Sequence, residues 1–346
     1  MMTKTIEKKK KNHGTFRWIV LGLFVLTGLA SFFVPPVKPE INAGAESLTG
    51  TLFTLPVIGE FKISNALTGM LLVDLIVILI AWSAKRSLEK PNPDKRTFGG
   101  VLVIVLVMLY ELTERTAGKW ARKVFPWFLS ITLIVLISNY SDIIPGVATI
   151  GILEPSISGT GVRTLIPNFL TTITRNTQGS QLYSLIPFLR SPSTDLNFPL
   201  SLALIVVLTV QITGFKYQGF GYLKKFFNFK AIITKPGLGL MDFIVGLLDL
   251  ITEFSKVLSF SFRLFGSLFA GLVLFALSGT FIPVIGQTGV MAFELFMGLI
   301  QAFVFGLLTM VFMSQAMTGS HSQSEKVEEK KDLSVLPAGK NVEEFN

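Results

Sequence analysis

Residues 258–277 form an apolar segment that holds one ionisable side chain, Arg263. A segment of about twenty residues can cross the hydrocarbon core of a bilayer as an α-helix. Arg263 is also the only ionisable residue between Lys256 and Glu294. An arginine at membrane depth costs about 3 kcal/mol or more, so it should face a carboxylate, a wet cavity or a partner protein rather than lipid. The sequence therefore predicts a functional role for Arg263.

Small residues share the helical face that carries Arg263. Ser259 lies four residues before the arginine, and Gly266, Ser267 and Ala270 lie three, four and seven residues after it. A stripe of small residues lets a second helix approach closely. The alternative interpretation is an ordinary small-residue helix contact, with the arginine side chain reaching toward a nearby membrane interface.

The composition is that of an all-α polytopic membrane protein. Half of the 346 residues are hydrophobic, 31 are Phe and only 15% are charged, which is more apolar than a soluble domain needs. There is no cysteine, and the two histidines, His13 and His321, lie near the termini. We therefore expect neither a metal nor another cofactor. The net charge of +9 fits basic residues that flank spans on the cytoplasmic side, so it does not require nucleic-acid binding.

Apolar runs bounded by basic residues predict about six transmembrane helices. The predicted spans are residues 15–34, 66–84, 125–144, 197–215, 258–277 and 289–317. The positive-inside rule places the basic N-terminus, residues 1–14, in the cytoplasm. Residues 15–34 are interpreted as an additional N-terminal transmembrane helix, with a cleaved signal peptide as the alternative. Residues 98–116 carry charges at their end, and either lie along the cytoplasmic surface or dip into the membrane as a hairpin.

The other segments follow from these spans. Residues 35–65 are expected to be an external loop, and residues 66–317 the membrane domain. Within this domain, residues 146–192 are rich in Gly, Pro, Ser and Thr, and form an external insertion that folds partly on itself. The last two spans are expected to form a long tilted hairpin, preceded by an amphipathic interfacial helix. Residues 318–346 mix Lys with Glu and Asp, and are expected to be a mobile cytoplasmic tail.

The last two spans carry polar groups at the depth of the arginine. Antiparallel packing would bring Gln301 to roughly the depth of Arg263, within about two helical turns. Glu294, Gly298 and Gln301 share a helical face and could line a narrow aqueous path. An interhelical hydrogen bond explains Gln301 equally well when it is taken alone. Arg263 itself cannot relay protons, because a guanidinium stays protonated at accessible pH.

Acidic residues cluster on the cytoplasmic side of the arginine span. Asp242, Asp249 and Glu253 lie at helical spacing on one face, which suits an acidic funnel that raises the local cation concentration. The alternative is a solvated face in which Glu253 pairs with Lys256, and both interpretations stay open.

Polar residues also mark the outer ends of the third and fourth spans. Asn139 and Asp142 share a face at the end of the third span, and Asp195 and Asn197 stand at the start of the fourth. Helix capping is the simpler account of Asn197. Asp74 lies in the middle of the second span, where nothing nearby indicates its role. With no phosphate-binding loop or nucleophile motif in the sequence, this pattern favours ion translocation.

The segment SFSFRLFGSLFAG, residues 259–271, closely resembles the arginine motif of subunit a of the F-type ATP synthase, the stator half of the membrane Fo sector. Three further segments resemble the same family in order and spacing. They are PWF at 126–128 leading to NYSDIIPG at 139–146, STDLN at 193–197, and QAFVF at 301–305. The resemblance covers approximately residues 119–317.

The resemblance implies the stator of a proton-translocating rotary motor. The length of the chain and its basic flanks suit the bacterial cell membrane better than that of an organelle. A ring of c subunits carries one carboxylate on each copy, and the arginine faces this ring between two offset half-channels. The implied partners are the c ring, b-type peripheral stalk subunits, membrane lipid and protons, and the chain itself binds no nucleotide. Whether it should be called an enzyme is uncertain, because nucleotide chemistry belongs to other subunits.

The family motif also implies roles for individual residues. Gln301 matches the glutamine that packs beside the arginine, Glu294 a polar position of one half-channel, and Asp249 an acidic position of the cytoplasmic path. Four residues match polar positions near the opposite path: Asn139, Asp142, Asp195 and Asn197. Two departures stand out, because Ser267 occupies a position where Asn is usual, and Leu272 one where Glu or His often partners the position of Glu294.

A second hypothesis comes from a different class of protein. In a self-contained secondary transporter or ion channel, Arg263 would bind an anionic group. Such proteins often contain inverted repeats around a midplane site. The sequence contains no internal repeat of useful length, which disfavours this alternative.

Overall fold

The computed structural model describes most of the chain between residues 44 and 318. The described residues are 18, 22, 25, 44–51, 53–55, 59–89, 97–144, 150–166, 170–174, 182–222, 226, 238–281 and 285–318. Most of the predicted first span and all of the predicted tail beyond residue 318 therefore lie outside the described residues.

Six long helices make up the described membrane part. They are α1 (Asn65–Leu88), α2 (Phe98–Ala117), α3 (Ala121–Ser141), α4 (Asn197–Gln218), α5 (Leu238–Phe281) and α6 (Ile285–Thr318). Five helical segments in the described ranges are long and apolar enough to cross a membrane, and they contain the five predicted spans after the first, apart from the last residues of the third. The predicted all-α polytopic fold is confirmed.

The ambiguous segment 98–116 belongs to α2, which packs as one arm of a hairpin with α3. The chain turns at Gly118, whose φ of 52° is accessible to glycine at low cost. Beyond this turn the rings of Tyr110 and Phe125 meet edge to face, with centroids 5.1 Å apart. At its start, α2 lies against α1, where a Cβ on Gly99 would come within 2.9 Å of the Cβ of Ser87.

The predicted insertion contains β-structure that the sequence analysis did not predict. Strands β3 (Gly151–Ile166), β4 (Leu170–Thr174) and β5 (Tyr183–Pro187) form an antiparallel sheet in the order β4-β3-β5. A shorter hairpin, β1 (Phe53–Leu55) and β2 (Gly59–Phe61), precedes α1. Pro155 and Gly159, which are atypical of a strand interior, fall where the pairing of β3 with β5 shifts register, between Pro155 and Thr160.

Helix α6 is central to the bundle and packs against α3, α4 and α5. One buried cluster joins all four of these helices. Its members are Ile131, Val135, Leu202, Ala203, Val206, Phe260, Leu264, Ala302 and Phe305. A second cluster lies nearer the α2–α3 turn and adds α2. Its members are Ala117, Val124, Phe128, Val210, Met310, Met313, Ala316 and Met317.

Glycines on α6 set how closely α3 approaches. A Cβ on Gly306 would collide with the Thr132 hydroxyl and come within 3.1 Å of the Phe128 ring. The Thr132 hydroxyl is held in place because it donates a hydrogen bond of 2.7 Å to the Phe128 carbonyl. The side chains of α3 therefore fill the space beside Gly306 and leave no room for a larger residue there.

Gly306→Ala is expected to lower the stability of the purified protein in detergent by about 1–3 kcal/mol, because the added methyl group must push α3 and α6 apart. Gly289→Ala is the matched control on the same helix, since a Cβ there meets no atom within 4 Å. Helix propensity alone should make the control neutral or slightly stabilising. Equal thermal melting temperatures for the two variants would contradict this account of the interface.

Candidate functional site

Arg263 lies on the outer face of α5. Its side chain is exposed, although Phe260 and Leu264 on the inner face are 3% and 1% exposed. Among the described residues, no carboxylate forms an ion pair with Arg263. The arginine therefore points away from the bundle that carries it.

The predicted stripe of small residues lies on the same exposed face. Ser259, Gly266 and Ala270 are exposed, and a Cβ on Gly266 would meet no atom within 4 Å. Ser267 is half-buried, and its hydroxyl donates to the carbonyls of Arg263 and Leu264 at 2.9 and 3.0 Å. The stripe leaves room for a helix from another chain.

Side-chain contacts between α5 and α6 fix their antiparallel register. The rings of Phe260 and Phe305 lie 5.1 Å apart between centroids. Eleven residues further along α5, a Cβ on Gly271 would come within 2.7 Å of Glu294 Oε1, and Glu294 lies eleven residues before Phe305. Between these contacts, each step of one residue forward along α5 therefore matches a step of one residue back along α6.

This register gives the level of the arginine. Arg263 lies three residues beyond Phe260, so its level on α6 is that of Ala302, next to Gln301. Gln301 is half-buried, whereas Ala302 is fully buried. The amide and the guanidinium are thus at the same depth, on neighbouring helices.

Asn139 connects α3 to α6 one turn from Glu294. Its Nδ2 donates a hydrogen bond of 3.0 Å to the carbonyl of Gly298. The side chain is 3% exposed, and its Oδ1 is a buried acceptor without a hydrogen-bond partner in the described part of the chain. A buried acceptor of this kind indicates a place for a water molecule or a mobile proton donor.

Asp142 follows the last residue of α3 and is tied to the segment before α4. Its Oδ1 accepts a hydrogen bond of 3.3 Å from the Ser191 backbone N–H. The Arg190 guanidinium contributes a favourable charge interaction with this carboxylate. Both neighbours therefore favour the ionised form of this carboxylate.

A chain of hydroxyl groups beside Asp142 was missed from the sequence. Ser138 and Ser193 lie 2.6 Å apart through their hydroxyl oxygens, and the Ser191 hydroxyl donates to the Ser138 carbonyl at 2.7 Å. All three serines are fully buried. Serine is too common to single out by type, and only the short spacing of Ser191 and Ser193 before a span could have marked them.

The expected capping role of Asn197 is wrong. Asn197 is an exposed residue in the first turn of α4, and its backbone N–H donates to Asp195 Oδ1 at 3.2 Å. Asp195 is buried and supplies the acceptor at this helix start.

On the other side of the arginine, Glu253 is buried in a polar network. Its Oε1 accepts from Lys256 Nζ at 2.8 Å, and its Oε2 accepts from Gln211 Nε2 at 2.8 Å. The structure therefore contains the ion pair between Glu253 and Lys256 that was the alternative to an acidic funnel. Glu253 is buried, so this helical face is not solvated at Glu253. Asp249, one turn earlier, is half-buried, and the side chain of Asp242 lies outside the described part.

Tyr222 completes this network from the loop after α4. Its hydroxyl donates to Gln211 Oε1 at 2.7 Å, and its ring covers Gly214. Burial, together with the nearby Glu253 carboxylate, raises the pKa of Tyr222 to about 12. The tyrosine therefore remains a donor at every physiological pH.

Comparison with known proteins gives the family. Residues 67–314 match the family described as ATP synthase A chain, and this range includes both polar networks and Arg263. The chain belongs to this family.

Several relatives match most of the chain. ATP synthase subunit a, sodium ion specific, of Propionigenium modestum is 28% identical over 256 residues, which cover 73% of this chain and 72% of the relative. ATP synthase subunit a of Mycobacterium bovis is 28% identical over 286 residues, which cover 80% and 94%. A subunit a of Desulfotalea psychrophila is 37% identical over a shorter range, 41% of this chain and 56% of the relative.

Membership makes this chain a multi-pass membrane subunit of the ATP synthase Fo sector, with a role in ion transport. Family membership supports the hypothesis of an ATP synthase subunit over that of a self-contained transporter or ion channel. Asp74 stays unexplained, because it is half-buried in the middle of α1 and joins neither polar network.

Tyr222→Phe is expected to lower the stability of this Fo subunit by about 1 kcal/mol, because Gln211 loses its hydroxyl donor. Tyr217→Phe is the matched control, since the described contacts of Tyr217, with Trp120 and Lys123, use its ring. The difference in melting temperature between the two variants should be the same at pH 7 and pH 9, because the Tyr222 hydroxyl is protonated at both. A difference that vanishes at pH 9 would contradict the network.

Proposed function

We propose that this chain is the stator subunit of a rotary, proton-translocating ATP synthase, in which Arg263 faces the carboxylates of a c ring between two half-channels. The observation that carries the proposal is the exposure of Arg263 within a membrane-spanning helix, on a face of small residues. Membership in the ATP synthase A chain family supports the same role.

The energetics of the arginine support a partner in another chain. A guanidinium exposed to lipid costs about 3 kcal/mol or more, and the cost falls when a carboxylate lies close to it. Among the described residues no carboxylate pairs with Arg263. A carboxylate on each ring subunit would supply the missing counter-charge, and the small residues beside Arg263 would let the ring helix approach.

The charge of Arg263 would control when a ring carboxylate loses its proton. A cation at close range favours the ionised form of a carboxylic acid, so an arriving acid would release its proton into one half-channel. As the carboxylate leaves the arginine, it would take up a proton from the other half-channel. Because the guanidinium stays protonated, it cannot pass protons directly between the two paths.

The positions of the polar groups along α5 and its neighbours support two offset half-channels. Asp249 and Arg263 are fourteen residues apart on α5, which is about 21 Å along a helix axis. Glu294 lies level with Gly271, eight residues or about 12 Å beyond the arginine in the opposite direction. We assign the network of Glu253 and Asp249 to the cytoplasmic half-channel.

We assign a second group of polar residues to the external half-channel. It comprises Glu294, Asn139, Asp142, Asp195 and Asn197. The basic residues at the α2–α3 turn would lie on the cytoplasmic side, and the end of α3 that carries Asp142 on the other. Gln301, at the level of Arg263, would position the guanidinium between the two paths.

The proposed setting is the plasma membrane of a bacterium. The proposed partners are the c ring, b-type peripheral stalk subunits and lipid. One relative is named as sodium ion specific, so sodium is the alternative coupling ion for this chain. ATP-driven acidification of inverted vesicles, measured with and without added Na⁺, separates the two ions.

Arg263→Ala is expected to abolish both ATP-driven proton pumping and proton-driven ATP synthesis while the complex still assembles with its c ring. Arg115→Ala is the matched control, because Arg115 is an exposed arginine in the last turn of α2. Retention of coupled synthesis in the Arg263 variant would reject the proposal.

Arg263→Lys is expected to reduce coupled synthesis by about tenfold or more, since an ammonium can lose its proton when desolvated and cannot bind a carboxylate in a two-pronged geometry. The measurement is the rate of ATP synthesis in energised vesicles at matched amounts of complex. A lysine variant as active as the parent protein would mean that a generic positive charge is sufficient.

A further inference from the structure

Contacts between α3 and α6 give a second antiparallel register. A Cβ on Gly306 would meet Thr132, and a Cβ on Gly298 would come within 3.2 Å of the Cβ of Asn139. A move of eight residues back along α6 thus matches a move of seven residues forward along α3. The hydrogen bond from Asn139 to the Gly298 carbonyl fixes this pairing near its outer end.

The same register brings two carboxylates to one level. Three residues beyond Asn139 is Asp142, and its counterpart on α6 lies at residues 294–295. On these two packed helices, the Asp142 carboxylate contributes an unfavourable charge interaction at Glu294. Glu294 therefore stands between Gly271 of α5 on one side and Asp142 of α3 on the other.

The surroundings of the two carboxylates offer few other charges. Arg190 interacts favourably with Asp142, and Tyr140 lies on the same helix. On α5, the neighbours of Glu294 are Gly271 and then Leu272, neither of which ionises. One negative charge beside Arg190 is tolerable, whereas two adjacent carboxylates with no further cation beside them in the described ranges favour retention of one proton.

The buried amide of Asn139 supplies an independent observation. Its Oδ1 has no hydrogen-bond partner among the described residues. Asn139 lies one turn before Asp142 on α3, and its hydrogen-bond partner Gly298 lies one turn after Glu294 on α6. An acceptor in this place can bind the O–H of a carboxylic acid or a water molecule, whereas ionised carboxylates offer it no donor.

We propose that Asp142 is the functional partner of Glu294, and that the two carboxyl groups hold a single shared proton in the external path. This inference rests on the proposed function. Asp142 supplies the ionisable partner for Glu294 that the position of Leu272 lacks. One carboxyl gives its proton to the next acceptor toward the ring as its O–H bond breaks. The pair then regains one proton from external water, so the charge of the pair is restored after each transfer.

The test is a double-mutant cycle on the complete ATP synthase in inverted vesicles. Pumping is measured from pH 5 to pH 9 for Asp142→Asn, Glu294→Gln and the double variant. Each single variant is expected to pump about tenfold more slowly, and the double variant about as slowly as the worse single one, because the pair acts as one unit. Glu154→Gln, an exposed position on β3, is the control and should leave pumping unchanged.

The pH profile distinguishes a shared proton from a structural role. In either single variant the remaining carboxyl group faces no second negative charge, so the acidic limb of the profile should move to lower pH by about one unit. A purely structural contact would change the amount of assembled complex but not the position of this limb. An unmoved limb in both single variants overturns the proposal.

A swapped variant covers the case in which a single variant fails to assemble. Asp142→Glu combined with Glu294→Asp keeps both carboxylates and their combined length, and should restore most of the pumping that either exchange alone loses. Lack of restoration, or a double neutral variant about a hundredfold slower than the parent, would show independent residues and overturn the pairing. Either result leaves the Arg263→Ala outcome unaffected, so the stator role is judged separately.

Discussion

A permanent positive charge at membrane depth is the constraint on which the rest of this structure depends. The guanidinium of Arg263 cannot lose its proton, and no carboxylate of its own bundle forms an ion pair with it among the described residues. Its neighbours Phe260 and Leu264 anchor α5 in the core, which forces the arginine and its stripe of small residues outward. A guanidinium exposed at this depth is costly in lipid unless a counter-charge or water covers it.

Close packing against α6 sets the depth of each polar group relative to that charge. Glycines at the contacts of α6 with α3 and α5 leave no room for sliding, so Glu294, Asn139 and Gln301 have fixed levels. The hydrogen bond between Glu253 and Gln211 adds a polar tie between α5 and α4, which also pack through the buried cluster. Two polar regions on opposite sides of one cation follow from this rigid arrangement.

The sequence was sufficient for the five spans from residue 66 onward and for the depth of Gln301, because apolar length and antiparallel packing determine both. It was not sufficient for the three-stranded sheet, whose central strand contains Pro155 and several glycines and pairs with register shifts. It also missed the hydroxyl chain around Ser138, since the contact joins residues more than fifty positions apart. The choice between a funnel and an ion pair at Glu253 depended on burial, which periodicity alone does not give.

Site-specific cross-linking measures most directly whether Arg263 faces a ring of partner subunits. The chain has no native cysteine, so single cysteines report without background. Ala270→Cys on the exposed stripe should form a disulfide with a cysteine placed beside the ring carboxylate of the assembled complex, whereas Ala302→Cys, at a fully buried position, should not. Absence of the Ala270 product in an assembled, active complex would contradict the account.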